Sequence, residues 1–303
     1  MSQGARLSDA VALARHRLRS AGVPSPTSDA LALLAHAAGV TPGEVERRRI
    51  LGRTLTQDEA ARFAEVLNRR CAREPLQHIL GRAPFRGLEL AVGPGVFVPR
   101  PESESVAGIV IEHLNESPSL SKPLVLDLCT GSGAIALAIK DEVPRARVVA
   151  VEASPQALVW ARRNVQESGL AVTLREGDAG SACPELNAQV DVVVSNPPYI
   201  PPGARPLEVE VAEYDPQMAL YGGGDDGLLL PRRIIERAAE LLRSGGLFVM
   251  EHAEVQSEFL LALLRGDQRW AGVVDQMDLT GRPRALTARR VREPGTRLLD
   301  STP

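Results

Sequence analysis

The sequence predicts an α/β protein: a doubly wound domain with a mostly parallel sheet, preceded by a small all-helical domain. From Leu124 onward, apolar segments of strand length alternate with helical stretches. The candidate strands are Val125 to Leu128, Arg147 to Val151, Ala171 to Arg175, Val190 to Val194 and Leu247 to Glu251. Before residue 74 only helical periodicity is found, with Leu7, Val11, Ala14 and Leu18 on one face and Phe63, Val66, Leu67 and Cys71 on another. Between these regions, Gly81, Gly87, Gly93 and Gly95 separate short apolar pieces such as Leu88 to Val92, the pattern of a hairpin or extended linker. The expected division is therefore 1–74 helical bundle, 75–98 hairpin linker, 99–292 α/β domain and 293–303 tail.

Local signals support these elements. Pro24 and Pro26 separate the first two helices, and Thr56 with Glu59 has the spacing of a capping box. Ser154-Pro155 supplies an N-cap and a first-turn proline for a helix through Val165, and Pro231 does similar work for a helix through Leu242. At 303 residues, 44% of them hydrophobic, the chain can bury two cores.

Composition excludes several classes. The three cysteines, Cys71, Cys129 and Cys183, are too few and too scattered for a disulfide framework or a zinc site, so no metal and a cytoplasmic, reducing location are expected. No apolar run approaches the length of a membrane helix. Arg6, Asp9 and Arg15 occupy the place of a secretory signal's apolar centre, while the arginines of the first helix leave an organellar targeting sequence as an alternative to a plain surface helix. Twelve arginines against eight acidic residues in the first 80 positions are a mild asymmetry, read as a solvated face rather than a nucleic-acid surface. A monomer is expected.

Chemistry concentrates in two segments. In the first, strand Val125 to Leu128 runs through Cys129, Thr130, Gly131, Ser132 and Gly133 into a helix, a turn whose glycines admit a ligand close to the backbone. Glu152, at the end of the next strand, suits two ribose hydroxyls, and it stands 21 residues after Gly131, as in a dinucleotide fingerprint. An NAD site is thus one reading. Asp127, within the strand four residues before Gly131, shifts it: a carboxylate there suits the cationic methionine end of S-adenosylmethionine better than a pyrophosphate. Asp178, followed by Ala179, ends the third strand and is a candidate acceptor for the adenine amino group, or simply a turn residue.

The second segment is Val192 to Ser195 followed by Asn196-Pro197-Pro198-Tyr199. Prolines lack N–H groups and hold the preceding residue extended, so the strand ends in a rigid pocket rich in acceptors. The Asn196 side-chain oxygen and the Pro197 carbonyl can each accept one N–H of a planar amide or amino group, with Tyr199 stacked on it. Such an arrangement positions a nitrogen for in-line attack on a methyl group. Asn196, Pro197 and Tyr199 are the catalytic candidates, and Pro198 joins them as a substrate-binding candidate.

With these motifs, Glu74-Pro75-Leu76, Ile79-Leu80-Gly81, Phe85, Gly87-Leu88 and Val98-Pro99-Arg100-Pro101-Glu102-Ser103-Glu104 are similar to those of the peptide chain release factor glutamine methyltransferases, the HemK or PrmC family. Downstream, Tyr214-Asp215-Pro216, Ala219-Leu220, Gly224, Asp226-Gly227-Leu228 and Gly245-Gly246 continue the resemblance. It covers nearly the whole chain. It implies a seven-stranded, Rossmann-like class I methyltransferase domain, a helical domain for substrate recognition, S-adenosylmethionine as cofactor, and the glutamine of a Gly-Gly-Gln loop in release factors as substrate. Related Asn-Pro-Pro-Tyr motifs occur in methyltransferases acting on adenine or guanine in nucleic acids, which is the alternative; the stretch from Glu74 to Glu104 favours the protein substrate, with no direct nucleic-acid binding required. Cys129 stands where relatives often have glycine, Glu152 where Asp is frequent, Ser103 where Thr is usual, and Ala179 where an aromatic can flank adenine.

Overall fold

The computed structural model describes residues 4–278 and 280–291; the tail expected over 293–303 lies outside the described residues. The chain begins with α1 (Leu7–Ser20), α2 (Pro26–Ala38), α3 (Pro42–Ile50), α4 (Gln57–Cys71) and α5 (Leu76–Leu80). A two-stranded sheet of β1 (Arg82–Phe85) and β2 (Leu88–Ala91) follows, then α6 (Pro101–Asn115), β3 (Leu124–Leu128), α7 (Ala134–Glu142), β4 (Arg147–Glu152), α8 (Pro155–Ser168) and β5 (Val172–Glu176). The remaining elements are β6 (Val190–Ser195), α9 (Val209–Tyr214), α10 (Gln217–Leu220), α11 (Leu229–Leu241), β7 (Leu242–Glu251), α12 (Ser257–Arg265), β8 (Trp270–Met277) and β9 (Pro283–Arg290).

The described chain forms two compact units. The first comprises residues up to Ala83 together with Val92–Pro94 and Pro206–Tyr214, so α9 belongs to it although it lies far along the sequence. Its core joins Leu7, Ala14 and Leu18 of α1, Leu33 and Leu34 of α2, and Phe63 and Leu67 of α4. Leu7, Ala14 and Leu18 are buried here, which gives α1 a packing role. The buried Arg70 guanidinium pairs with Asp29 at 2.8 Å and with Glu210 of α9 at 2.8 Å, and Glu210 is also held by Arg73. These partners keep the Glu210 carboxyl down at about 2 against the cost of burial. The Tyr214 hydroxyl donates to the Ala72 carbonyl at 3.1 Å.

In the second unit, seven strands lie in the order β5-β4-β3-β6-β7-β9-β8. The first five are parallel; β9 and β8 are antiparallel. Alternation along β3 sends Val125 to a core with α6 and α7, and Leu124, Leu126 and Leu128 to the other face with α11 and α12. In that second core Phe248 stacks on Trp270, ring centroids 5.4 Å apart.

All five candidate strands occur, each within a residue or two except β7, which begins at Leu242. The helix read through Leu242 therefore ends one residue earlier, and its Pro231 is the third residue of α11, where a missing N–H costs no intrahelical bond. β8 and β9 answer to no strand pattern in the sequence. β8 is mostly exposed or half-buried with register shifts against β9, and β9 carries four arginines or prolines among its eight residues.

The capping box is present in both halves: the Glu59 amide donates to the Thr56 hydroxyl at 3.2 Å, and the Thr56 amide to the Glu59 carboxylate at 2.9 Å. Thr56→Ala is expected to lower stability by about 1 kcal/mol in urea unfolding, with Thr56→Ser close to wild type. An unchanged midpoint for Thr56→Ala would mean that the box does not hold the start of α4.

Candidate active site

Between β3 and α7, Cys129, Gly131 and Gly133 all adopt left-handed backbone, with φ of 64°, 58° and 86°. The turn thus demands at Cys129 the conformation that favours glycine. At Gly131 no atom lies within 4 Å of where a Cβ would stand, so the turn leaves room for a ligand against the backbone. Two bonds tie it to β4: the Thr130 amide donates to the Val151 carbonyl at 3.0 Å, and the Gly131 amide to Glu152 Oε2 at 2.8 Å. Glu152 Oε1 accepts from the Ser154 amide at 2.8 Å. On the other side, the buried Asn164 of α8 donates to the Ser132 carbonyl at 2.9 Å and brackets both the amide and carbonyl of Ala91 on β2.

Asp127 is fully buried. Its Oδ2 accepts from the Thr130 hydroxyl at 2.5 Å, while Oδ1 has no well-formed hydrogen bond. Burial pushes this carboxyl up to about 7, against the opposing influence of the Thr130 hydroxyl and the Ala136 amide. An orphaned carboxylate oxygen beside an open glycine turn fits the ammonium of S-adenosylmethionine. Each oxygen of Glu152 has a lone pair beyond its backbone bond, which fits ribose hydroxyls. The residues present therefore fit this cofactor at its methionine and ribose ends.

At the adenine end, the candidate residues Asp178 and Ala179 already have partners within the chain. Asp178 is about half exposed and its carboxylate is engaged by the Gly180 amide at 2.7 Å and by both arms of Arg233 at 2.8 and 3.1 Å. The same carboxylate thus braces the turn at Gly180, and Ala179 is packed in the core with α11. Burial also pushes the Cys129 thiol up, which keeps it protonated.

Beside this turn, parallel pairing sets Leu128 of β3 opposite Ser195 of β6, and the Ser195 hydroxyl donates to the Leu128 carbonyl at 2.7 Å. Asn196-Pro197-Pro198-Tyr199 begins one residue later. The Asn196 Nδ2 donates to the Ser103 hydroxyl of α6 at 2.9 Å, and Ser103 donates to Glu251 Oε2 at the end of β7, at 2.7 Å. Among the described residues, neither Asn196 Oδ1 nor the Pro197 carbonyl accepts a hydrogen bond. Tyr199 is held neutral by burial, its hydroxyl pushed up to about 12, which suits it to stacking rather than to proton transfer. Its backbone carbonyl accepts from Gln256 at 2.8 Å.

The segment Arg100 to Glu104 also finds its purpose. Arg100 lies over Phe97 and pairs with the buried Asp215 at 2.9 Å, and Glu104 accepts from the Arg86 amide at 3.1 Å. A Cβ on Gly222 would overlap the carbonyls of Gly227 and Pro198, and one on Gly227 would overlap that of Tyr199, so both glycines are required where this loop closes on the motif. Sequence reading assigned no site role to Ser103, Asn164, Glu251, Gln256 or Gly222. Glu251 alone carried a signal of the kind used for Glu152, a carboxylate closing an apolar strand. No group of three or more His, Cys, Asp or Glu among the described residues is arranged to hold a metal, and no helix among them is long and apolar enough to cross a membrane.

Comparison with known proteins accords with this geometry. Residues 9–81 match the PrmC N-terminal domain model and residues 87–210 the methyltransferase small domain model. A protein named release factor glutamine methyltransferase from Streptomyces coelicolor is 51% identical, covering 92% of this chain and 96% of that one. One of the same name from Bifidobacterium longum is 44% identical over 93% of this chain and 99% of its own length. A relative from Streptomyces pristinaespiralis, 39% identical over 88% of this chain and 89% of its own, is named 4-amino-L-phenylalanine/4-methylamino-L-phenylalanine methyltransferase. A solved 16S rRNA N2 G1207 methyltransferase from T. thermophilus, in complex with AdoMet and guanosine, is similar at a TM-score of 0.48 and 23% identity, covering 69% of this chain and 49% of that one. With two full-length relatives of one name above 40% identity and both family models matched in order, the chain belongs to the release factor glutamine methyltransferase family.

Proposed function

We propose that this protein transfers the methyl group of S-adenosylmethionine to the side-chain amide nitrogen of the glutamine in the Gly-Gly-Gln motif of peptide chain release factors. The observation that carries the reading is the Asn196 amide, whose Nδ2 is tied down by Ser103 while Oδ1 and the neighbouring Pro197 carbonyl stand unengaged. Two such acceptors match the two N–H donors of a primary amide. The resemblance of Glu74 to Glu104 and the full-length relatives favour the protein substrate over a nucleic-acid base. A monomer acting in the cytoplasm, on protein without nucleic-acid contacts, belongs to the same reading.

When bound, the cofactor supplies a methyl group on a cationic sulfur, a strong electrophile. This chain's residues supply position. Asp127 holds the ammonium and Glu152 the ribose hydroxyls, along the turn from Cys129 to Gly133. Asp178 can reach the adenine amino group only through the lone pairs left by Gly180 and Arg233. An amide nitrogen is a weak nucleophile because its lone pair is delocalised. Acceptors at Asn196 and Pro197 that draw on its hydrogens favour the pyramidal, more basic nitrogen of the transition state. Tyr199 covers the amide plane and excludes water. The methylated nitrogen is strongly acidic and sheds its proton without a dedicated base.

Asn196→Ala is expected to lower kcat for methylation of a release factor by roughly 10²–10³-fold while cofactor affinity stays within about twofold. Transfer of labelled methyl and calorimetric cofactor binding check this, and normal turnover in the variant would sink the clamp. Mass spectrometry of the Gly-Gly-Gln peptide locates the label; label found only on RNA or DNA would move the assignment to base methylation. Glu152→Ala should weaken cofactor binding about tenfold or more, since it removes the ribose acceptor and the anchor of the Gly131 amide.

The Asp127 reading has a pH signature. In the unliganded protein this carboxyl sits at about 7, and only its ionised form attracts an ammonium. Cofactor affinity should therefore rise several-fold between pH 6 and 7.5, with a limit of about tenfold per pH unit below 7. Asp127→Asn should bind more weakly and without this dependence. An affinity that is flat with pH in the wild type would exclude Asp127 as the ammonium partner.

A further inference from the structure

We propose that Ser103 and Glu251 are positioning residues that fix which end of the Asn196 amide faces the substrate. The inference rests on the assignment of Asn196 as the clamp for the reacting nitrogen. An asparagine amide is nearly symmetrical in shape, and its orientation is decided by its hydrogen-bond partners. Ser103 Oγ lies 2.7 Å from Glu251 Oε2 and 2.9 Å from Asn196 Nδ2. A hydroxyl has one proton. Given to a carboxylate that can only accept, that proton leaves Ser103 with lone pairs alone for Asn196, and only an NH₂ group can meet them. The amide is then locked with Oδ1 outward, as an acceptor-bearing clamp requires.

The lock holds only while Glu251 is ionised. Once protonated, Glu251 can donate to Ser103, whose own proton is released to turn toward Asn196. The amide then gains by rotating Oδ1 inward, and it presents NH₂ to the NH₂ of the substrate. Glu251 is buried, and burial pushes its carboxyl up to about 7. Besides Ser103, the groups around it are Glu102 of α6, which opposes ionisation, Arg284 of β9 and the Asn196 amide, which favour it, and Tyr199 after β6, which is neutral. His252, the residue after β7, faces elsewhere: its Nδ1 lies 3.0 Å from the Ala253 carbonyl and its Nε2 3.3 Å from Asp275 of β8.

The relay separates from a merely structural role by its pH behaviour at saturating cofactor, where the Asp127 effect on binding drops out. Wild-type kcat on a release factor should fall about tenfold per pH unit below 7. Ser103→Ala should lose roughly 10- to 100-fold in kcat with little change in the KM for cofactor, and its acid limb should largely disappear, because Asn196 then meets Glu251 only through its own side-chain contact. Ser103→Thr, which keeps the hydroxyl, should restore both. Glu251→Gln, whose carboxamide does not titrate, should also lack the limb. Selective ¹⁵N-asparagine labelling reads the amide without any substrate. Of the five asparagines, the Asn196 side-chain resonances, identified with Asn196→Ala, should titrate near pH 7 in the wild type and stay constant in Glu251→Gln. A Ser103→Ala enzyme with wild-type kcat and an intact acid limb, or an Asn196 signal unchanged from pH 6 to 8, overturns the relay. A wild-type enzyme that leaves release factors unmethylated overturns the substrate reading instead, and the asparagine resonances still decide the relay.

Discussion

The parallel register of β3 against β4 and β6 is the constraint on which the whole site depends. It sets Leu128 opposite both Val151 and Ser195, so that the glycine turn, Glu152 and Asn196 leave the sheet at one edge and at one level. A slip of one residue would move every side chain of the shifted strand to the other face. Asp127 would then leave the core shared with α7 for the one shared with α11. Register is strongly specified here because β3 is buried along its entire length on both faces. The apolar cores that fix the sheet are thus also what hold the cofactor and substrate residues within reach of each other.

This division explains what the sequence could reveal. The turn from Cys129 to Gly133 and the run Asn196 to Tyr199 are local in the chain: their conformation follows from glycine, proline and the end of an apolar strand, and so they are legible. Even the substitution at Cys129 is legible as a departure, and the structure gives its meaning, a left-handed position occupied by a residue with a Cβ. Ser103, Asn164, Glu251 and Gln256 act across separations of 32 to 148 residues, through single hydrogen bonds that leave no periodic or compositional trace. β8 and β9 escaped for another reason. β8 is the mostly exposed or half-buried edge strand, and β9 beside it buries only its four central residues, Ala285 to Ala288, so neither has the strand-long apolar run or clean alternation that marks a buried one.

Two buried carboxyls at about 7 place an energetic burden on the fold. In both cases the folded state binds the proton more tightly than the unfolded chain, whose carboxyls titrate near 4. By linkage, their contribution to stability falls as pH rises from about 4 to about 7. Near neutrality both ionised carboxyls therefore weigh against the folded state. On the proposed reading, a cation bound at Asp127 would offset that cost, and part of the stability given up there would return as affinity. At Glu251 no ligand charge does so. Its charge is satisfied through Ser103 and opposed by Glu102, and the cost is carried for orientation alone.

Orientation is a sensible return for that cost, because the clamp selects by what it cannot donate. Facing outward, Asn196 Oδ1 and the Pro197 carbonyl offer two acceptors and no proton. Glutamate in place of glutamine would set a carboxylate against them with nothing to share, and acceptors covered by a substrate yet left unpaired cost on the order of 1–3 kcal/mol each. In the proposed clamp the same pair would accept any planar NH₂, whether on an amide or on an aromatic ring, and a relative at 39% identity is named 4-amino-L-phenylalanine/4-methylamino-L-phenylalanine methyltransferase. On that reading the chemistry of the nitrogen is set by Asn196 to Tyr199 and the relay behind them. The molecule that carries it must be chosen by other surfaces of the chain, which are free to change while the clamp is kept.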